Sequence, residues 1–525
     1  MTLPPSTLQV LEALWVGAGL PAETLRDAQI SLPNADKHVL KSSYRIGVAA
    51  QACIAATGLA ASLLRHLTAG DPVEVQVEAR HAALEFASER YSRLHQGGQC
   101  KDDAVASSSS NFKTMLGLPS DALTHWDPLA GYYSCAHGRY IRLHTNWRHH
   151  KLGLLTILNL EEGASRDKVA AELLNWDAQD FERAAREAGM CATMCRNEKE
   201  WNSTEIARST QLWLEENHGC PVKVAKVTEQ GTPSCRRQSP SDRRPMRVIE
   251  MARVIAAPVA GRTLAKHGAD VLLISNRNLP HLPVLDIDTA RGKRAADVDL
   301  DSDNGRETLK SLVAEADVLL QAYRPGALAK RGFGMDELQV LRPGLIYAEL
   351  DAYGFTGPWK HVRGFDSLVQ SASGINSSES DSYNAFVKSS GGLEEKEISQ
   401  APRVLPCQAL DHASGYLLAF GILAAKCRTL LDSSSDENGW HVQVSLVGVA
   451  AWLGSLGRLH GAQAWQDPDE INDNGKEVQE LLEPYAIRGA KEPLTLYSLR
   501  HSASPISSHE KNVPYRLDVD PPKWT

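Results

Sequence analysis

The chain has 525 residues, a formal net charge of -8 and a pI of about 6.2. Apolar residues make up 42% and charged residues 23%, which suits two to four globular domains and gives no basic surface for a nucleic-acid partner. No membrane span and no signal peptide are expected. The nine scattered cysteines are read as reduced thiols of a cytoplasmic protein with no metal site.

Short helical patterns occupy residues 1–37, and a helix of small and apolar residues is predicted over 44–66. A strand at 73–77, a helix at 81–94 and a loop with four consecutive serines at 96–110 follow. Residues 127–131 read as a turn and 138–145 as a strand. Residues 148–160, 165–176 and 178–189 read as helices, with Asp177 as a cap and Gly189 as a terminator. His144, His149 and His150 cluster without the acidic or cysteine ligands a metal would want. The polar, basic stretch 228–246 reads as a linker.

From Arg247 strands and helices alternate: strands at 248–255, 270–275, 318–323 and 344–350, helices at 258–268 and 304–317. That order indicates an α/β fold with a doubly wound, parallel, Rossmann-like sheet. The first turn lacks GxGxxG, so an NAD-type site is not expected. A polar loop is predicted over 376–400, then a small-residue helix headed by Asp411, then a strand at 441–444 and a helix to about 459. The final 60 or so residues, with prolines at 468, 484, 493, 505 and 514 among others, are predicted to form an irregular tail.

Asp411 heads a helix kept slim by Gly415, Ala419, Gly421, Ala424 and Ala425. It reads either as an N-cap, held ionised by the first amides, or as an oriented nucleophile towards an activated acyl group. The chain also repeats itself. Ala419, Gly421, Ala424 and Arg428 match Ala56, Gly58, Ala61 and Arg65 at one offset of 363, and Val442-Gln-Val444 matches Val75-Gln-Val77 at an offset of 367. Val48 stands where the second copy has Asp411.

Residues 247–452 resemble the class III coenzyme A transferase (CaiB/BaiF) family. The resemblance is carried by Arg253-Val-Ile-Ala-Ala-Pro-Val-Ala-Gly261, His267-Gly-Ala-Asp-Val271, Arg291-Gly-Lys-Arg294, Ala316-Asp-Val-Leu-Leu-Gln-Ala-Tyr-Arg-Pro-Gly326, Arg331-Gly-Phe333, Arg342-Pro-Gly-Leu-Ile-Tyr347, Tyr353-Gly-Phe-Thr-Gly-Pro-Trp359 and Gly364-Phe-Asp-Ser-Leu-Val-Gln370. Residues 38–227 resemble a later part of the same family's chain more weakly. The resemblance implies a partial first copy of the large domain at 1–124, a small α+β domain at 125–227, the linker, a Rossmann-like second copy at 247–462 and the tail at 463–525. It implies a fused pseudo-dimer, as a monomer or within a homodimer, with one active site per chain.

It further implies that Asp411 is the catalytic aspartate and that Val254, Tyr323, Arg324, Lys330 and Arg363 contact CoA. Acyl-CoA and a carboxylic acid would be the substrates, CoA would pass between them through an aspartyl anhydride and thioester, and no cofactor would be bound permanently. Ala322, Ile255 and Asp301 depart from the polar or basic groups of related formyl transferases. An acyl-CoA racemase of the same family is one alternative, although Phe365 stands where racemases carry a histidine. A catalytically degenerate CoA-binding protein is the other.

Overall fold

The computed structural model describes residues 3–70, 72–97, 104–107, 109–118, 126–227, 235–236, 244–391, 401–432, 436–437, 439–466, 471–503, 512–514, 516 and 518–524. Most of the expected linker, the end of the expected polar loop and part of the serine run lie outside them.

The fold is built on a seven-stranded sheet. Its strands are β1 (Val222–Lys226), β2 (Arg247–Met251), β3 (Asp270–Ser275), β4 (Arg294–Asp297), β5 (Val318–Gln321), β6 (Ile346–Asp351) and β7 (Trp440–Ser445). Their order is β4-β3-β2-β5-β6-β7-β1, parallel throughout except for β1, which runs antiparallel to β7. Both faces are covered, which is why these strands read as unbroken apolar runs such as Val271–Ile274. The chain winds outward from β2 to β4, then returns to the other side of β2 with β5. The crevice at the carboxyl ends of β2 and β5 is therefore a topological switch point, where open α/β sheets take ligands.

Three helices set the core: α1 (Ile46–Ala69), α2 (Ala256–Lys266) and α3 (Ala409–Leu431). α3 lies buried among α1, α2 and the sheet. Its glycines allow this. A Cβ at Gly415 would sit 2.4 Å from the Ala256 carbonyl oxygen, and one at Gly421 would sit 2.6 Å from Val442 Cγ1. α1 and α3 are tied directly: Thr57 Oγ1 donates to the Tyr416 carbonyl at 3.0 Å, and Cys427 Sγ to the Ala60 carbonyl at 3.5 Å.

Both helices are long and apolar enough to cross a membrane, against the expectation that no stretch approaches that length. Here 78% and 72% of their apolar windows are buried inside the protein, so they serve as core helices of this fold.

Other expectations change as well. Residues 375–389 form a helix, Ile375–Ser389, where a polar loop is predicted. Its buried face carries Asn376, Glu379 and Ser380 beside Ile375, so no apolar stripe marks it. Glu379 accepts from the Ser43 amide at 2.9 Å, and Asn376 donates to Gln370 Oε1 at 2.9 Å.

The C-terminal stretch is not irregular. Strands Leu482–Arg488, Leu494–Leu499 and Asn512–Pro514 join Arg93–Gln96 and Val105–Ala106 in a five-stranded sheet. Pro484 is tolerated because it pairs with Tyr497 on one side, while the Asn512–Pro514 strand begins only at Ala486 on the other. The expected helix over 81–94 ends early, as Ala79–Glu85, because Arg93–Gln96 is drawn into that sheet by partners some 400 residues away.

Gly131–Ser134 is a strand, not only the end of a turn, and pairs with Tyr140–Leu143, which in turn pairs with Ala192–Met194. Helices follow at Arg148–Ile157, Arg166–Leu173 and Ala178–Glu187, the last capped by Asp177 through the amides of Gln179 and Asp180. The large sheet also reaches past the boundary at 227, because β1 is its edge strand.

Candidate active site

Asp411 sits in the first turn of α3, but it does not cap that helix. The N-cap position is Gln408, without a side-chain cap. The amides of Leu410 and Asp411 instead donate to Asp366 Oδ2 at 2.8 and 3.0 Å. Asp366 opens the helix Asp366–Ala372 and also accepts from Gln370 Nε2. A carboxylate from another element therefore takes the helix amides.

This reverses the electrostatic expectation for Asp411. Burial, then the charge of Asp366, then that of Glu89, hold the Asp411 carboxyl well above the usual carboxylate range. Asp366 is itself pushed up by burial to about 6, despite its hydrogen bonds. The fold thus favours the protonated form of Asp411. Its carboxyl makes no hydrogen bond to any described residue, whereas its neighbours are engaged: Glu89 Oε2 meets His412 Nε2 at 3.1 Å.

Asp411 stands between two cavities. The first, about 450 Å³, opens at the sheet's switch point and is walled by Arg253, Tyr323, Arg324, Asp351, Arg363 and His150. The second, about 340 Å³, is walled by Trp126, Arg142, His144, Gln370 and Cys407. Asp411, Val254, Ile255 and Phe365 line both.

Val254 is the most unusual of these. Its φ of 72° places a β-branched residue in the left-handed region. Such strain persists only where the surroundings enforce it, and it gathers at functional sites. The turn lets the chain leave β2 and enter α2 beside Asp411. No side chain caps α2, so its first amides have no intrahelical acceptor, and Ile255, Ala256 and Ala257 line the first cavity.

Four of the five residues expected to contact CoA line the first cavity: Val254, Tyr323, Arg324 and Arg363. Tyr323 is set by its own amide, which donates to Gln321 Oε1 at 2.7 Å. Arg363 Nη1 lies 3.0 Å from His150 Nε2. Burial first, then the charges of His149, Arg363 and Arg324, pull His150 down to about 3. The imidazole is therefore a neutral acceptor that leaves the Arg363 charge uncompensated. Among the described residues neither Arg363 nor Arg324 pairs with a carboxylate.

Lys330 is not brought to the wall. It is exposed, in the short 3₁₀ turn Ala329–Arg331. Asp301 nearby is held by Arg331 at 2.8 Å.

Several site residues escaped the sequence. Asp351, at the carboxyl end of β6, lines the first cavity and is raised to about 7 by burial. Its position at a strand's end was the signal available. The three histidines are not a metal cluster, and no group of His, Cys, Asp and Glu among the described residues is placed to hold one. His144 instead stacks on Phe365 with centroids 3.6 Å apart and planes 4° off parallel. Cys407 faces the second cavity, but burial holds its thiol protonated, which leaves Asp411 as the nucleophile candidate there.

Residues 244–487 match the CoA-transferase family III profile. The chain is 32% identical over 220 residues to a probable fatty acyl-CoA transferase of Mycobacterium tuberculosis, covering 39% of this chain and 51% of that protein. It is 32% identical over 241 residues to the cinnamoyl-CoA:phenyllactate CoA-transferase of Clostridium sporogenes, covering 42% and 52%. It is 37% identical over 150 residues to the succinate–glutarate CoA-transferase of Agrobacterium fabrum, covering 25% and 38%. A solved structure of a hypothetical protein from Mycobacterium tuberculosis aligns at 29% identity over 42% of this chain and 57% of that one, with a TM-score of 0.34. The chain spans about half the length, or less, of these curated relatives.

Proposed function

We propose that this chain moves CoA from an acyl-CoA to a carboxylic acid, with Asp411 as the acyl acceptor. The observation that carries the reading is the placement of Asp411. Its carboxyl has no hydrogen-bond partner among the described residues, and it stands between two cavities, the first lined by arginines without carboxylate partners. Tyr323 offers a stacking face for a nucleotide base, while Arg324 and Arg363 offer charge to its phosphates. In this reading Val254 shapes the turn that the thioester passes, and Lys330 contributes charge from outside the wall.

The steps balance without a cofactor. Asp411 first releases its proton to solvent. Its carboxylate oxygen attacks the thioester carbonyl carbon, and the carbon–sulfur bond breaks to give a mixed anhydride and CoA thiolate. The thiolate attacks the Asp411 carbonyl carbon, expels the donor's carboxylate and leaves an aspartyl-CoA thioester. An acceptor carboxylate then attacks that thioester and expels the thiolate. The thiolate takes the new acyl group and frees the Asp411 carboxylate.

A thiolate tethered by its nucleotide acts at high effective concentration. The α2 amides are the free donors for the oxyanions, since those of Leu410 and Asp411 are taken by Asp366. Phe365, packed flat on His144, has no proton to exchange, and nothing in the site favours racemisation. One site per chain follows in this reading, because Val48 replaces the aspartate on α1.

The test is a screen of acyl-CoA and carboxylic acid pairs read by mass spectrometry. Exchange that is lost in Asp411→Asn supports the proposal. CoA binding that is indifferent to Asp411→Asn, with no exchange for any pair, contradicts it and favours a binding protein.

A further inference from the structure

The second cavity carries a feature that CoA transfer alone does not use. Arg142, from the strand Tyr140–Leu143, lines its wall, as Asp411 does. Its guanidinium lies over the Tyr132 ring, 4.9 Å from the centroid, and Tyr132 is itself fixed by a 2.6 Å hydrogen bond to Asn376. Arg142 Nε is buried without a hydrogen-bond partner, and among the described residues no carboxylate pairs with this arginine. A buried guanidinium N–H left unpaired, as Arg142 Nε is in this half-buried side chain, is uncommon unless something else supplies the acceptor.

The other charges of the cavity are already engaged. Arg90 meets Asp473 at 2.7 Å. Glu89 meets His412, and Asp366 is held by two amides and Gln370. His144 adds a second orphan, since its Nε2 lies 3.4 Å from Asn146 Nδ2 while its buried Nδ1 has no partner. The cavity wall therefore holds both a carboxyl and an unmatched cation, with the flat Phe365–His144 stack alongside.

We propose that this cavity takes the acyl part of a dicarboxylic acid, one carboxyl reacting at Asp411 and the remote carboxylate bound by Arg142. This rests on the transferase reading for the chemistry at Asp411 but not for the binding itself. Arg142 is a specificity residue here: it holds the end of the substrate that does not react. A planar, charged fork suits a carboxylate held by two hydrogen bonds. An acyl chain without a second carboxylate would leave the buried Nε of that fork unmatched, which is how a polar site disfavours an apolar analogue.

The experiment measures binding without turnover. The full chain is titrated calorimetrically with succinate, glutarate and adipate, and with butyrate, pentanoate and hexanoate as the matched monocarboxylates. At least one dicarboxylate should bind about 10- to 100-fold more tightly than its monocarboxylate, the range expected of a charge-assisted pair. Arg142→Gln should erase that ratio and Arg142→Lys should keep part of it, with thermal unfolding of each variant confirming the fold.

A wild-type chain that binds no dicarboxylate, or binds both classes alike, overturns the proposal. So does a ratio unchanged in Arg142→Gln. Dicarboxylate binding that depends on Arg142, with no exchange for any acyl-CoA, would refute the transferase reading instead. Exchange confined to monocarboxylates would refute this one.

Discussion

Replacing Asp411 by Asn should stabilise the protein, and increasingly so as the pH rises. Burial and the charges of Asp366 and Glu89 favour the protonated form of the Asp411 carboxyl in the folded chain. In the unfolded chain the same group ionises near pH 4. A group whose folded pKa is raised contributes stability that is complete below its unfolded pKa and is lost as the pH climbs through its folded one. Between those limits the folded state holds one extra proton, and stability falls by about 1.4 kcal/mol per pH unit.

Asp366, raised to about 6, adds a second slope between roughly pH 4 and 6, and its charge is one cause of the raised Asp411 carboxyl, so the comparison is clearest above that range. Asparagine has the shape of aspartic acid and no charge, and the Asp411 side chain makes no hydrogen bond to a described residue that would be lost. The advantage of the variant should therefore grow as the pH rises above the unfolded value, by no more than about 1.4 kcal/mol per pH unit. At about 1–2 °C per kcal/mol for a chain of this length, each such unit is about 1–3 °C in Tm. Thermal unfolding of both proteins at pH 5, 6, 7 and 8 measures it. Parallel Tm profiles would show that Asp411 is an ordinary ionised carboxylate and would refute the electrostatics described here.

Gly415→Ala should destabilise the fold by about 1–3 kcal/mol, because the new methyl meets the Ala256 backbone and Val259 at the α2–α3 crossing; denaturant midpoints measure it. Lys293→Met should cost about 3–5 kcal/mol, since it strands the fully buried Glu250 without its 2.6 Å partner, and Glu250→Gln added to it should recover much of the loss. Arg363→Gln should raise KM for acyl-CoA about 10-fold with a smaller change in kcat, as expected for a phosphate contact remote from the reacting carbon; steady-state kinetics against acyl-CoA would read the split.

The large sheet was legible because its strands are local and buried on both faces. The segment 270–275 is predicted and found without a residue's difference. The slim helix was equally plain from its glycines and alanines. What failed was non-local. Arg93–Gln96 reads as the end of a helix until its partner Leu494–Leu499 is in view. Ile375–Ser389 hides its buried face behind asparagine, glutamate and serine, whose hydrogen bonds come from distant residues.

The site divided in the same way. Asp411, Val254, Tyr323, Arg324 and Arg363 were named through a family resemblance, and the fold brings them to one cavity. The carboxylate that takes the α3 amides is Asp366, 45 residues earlier, and only the fold shows that the amides credited to Asp411 are spent there. Arg142 lies on the strand Tyr140–Leu143 and His144 directly follows it, far from Asp411 in the chain. Their lack of partners is a property of packing that no spacing encodes.

The central claim is that Asp411 becomes acylated. The full chain should be incubated with an acyl-CoA and its acid, treated with hydroxylamine, digested and analysed by mass spectrometry. A hydroxamate on Asp411 that forms only with acyl-CoA, and is absent from Asp411→Asn, is the predicted result. An unmodified Asp411 peptide in a chain that still exchanges CoA would contradict the account.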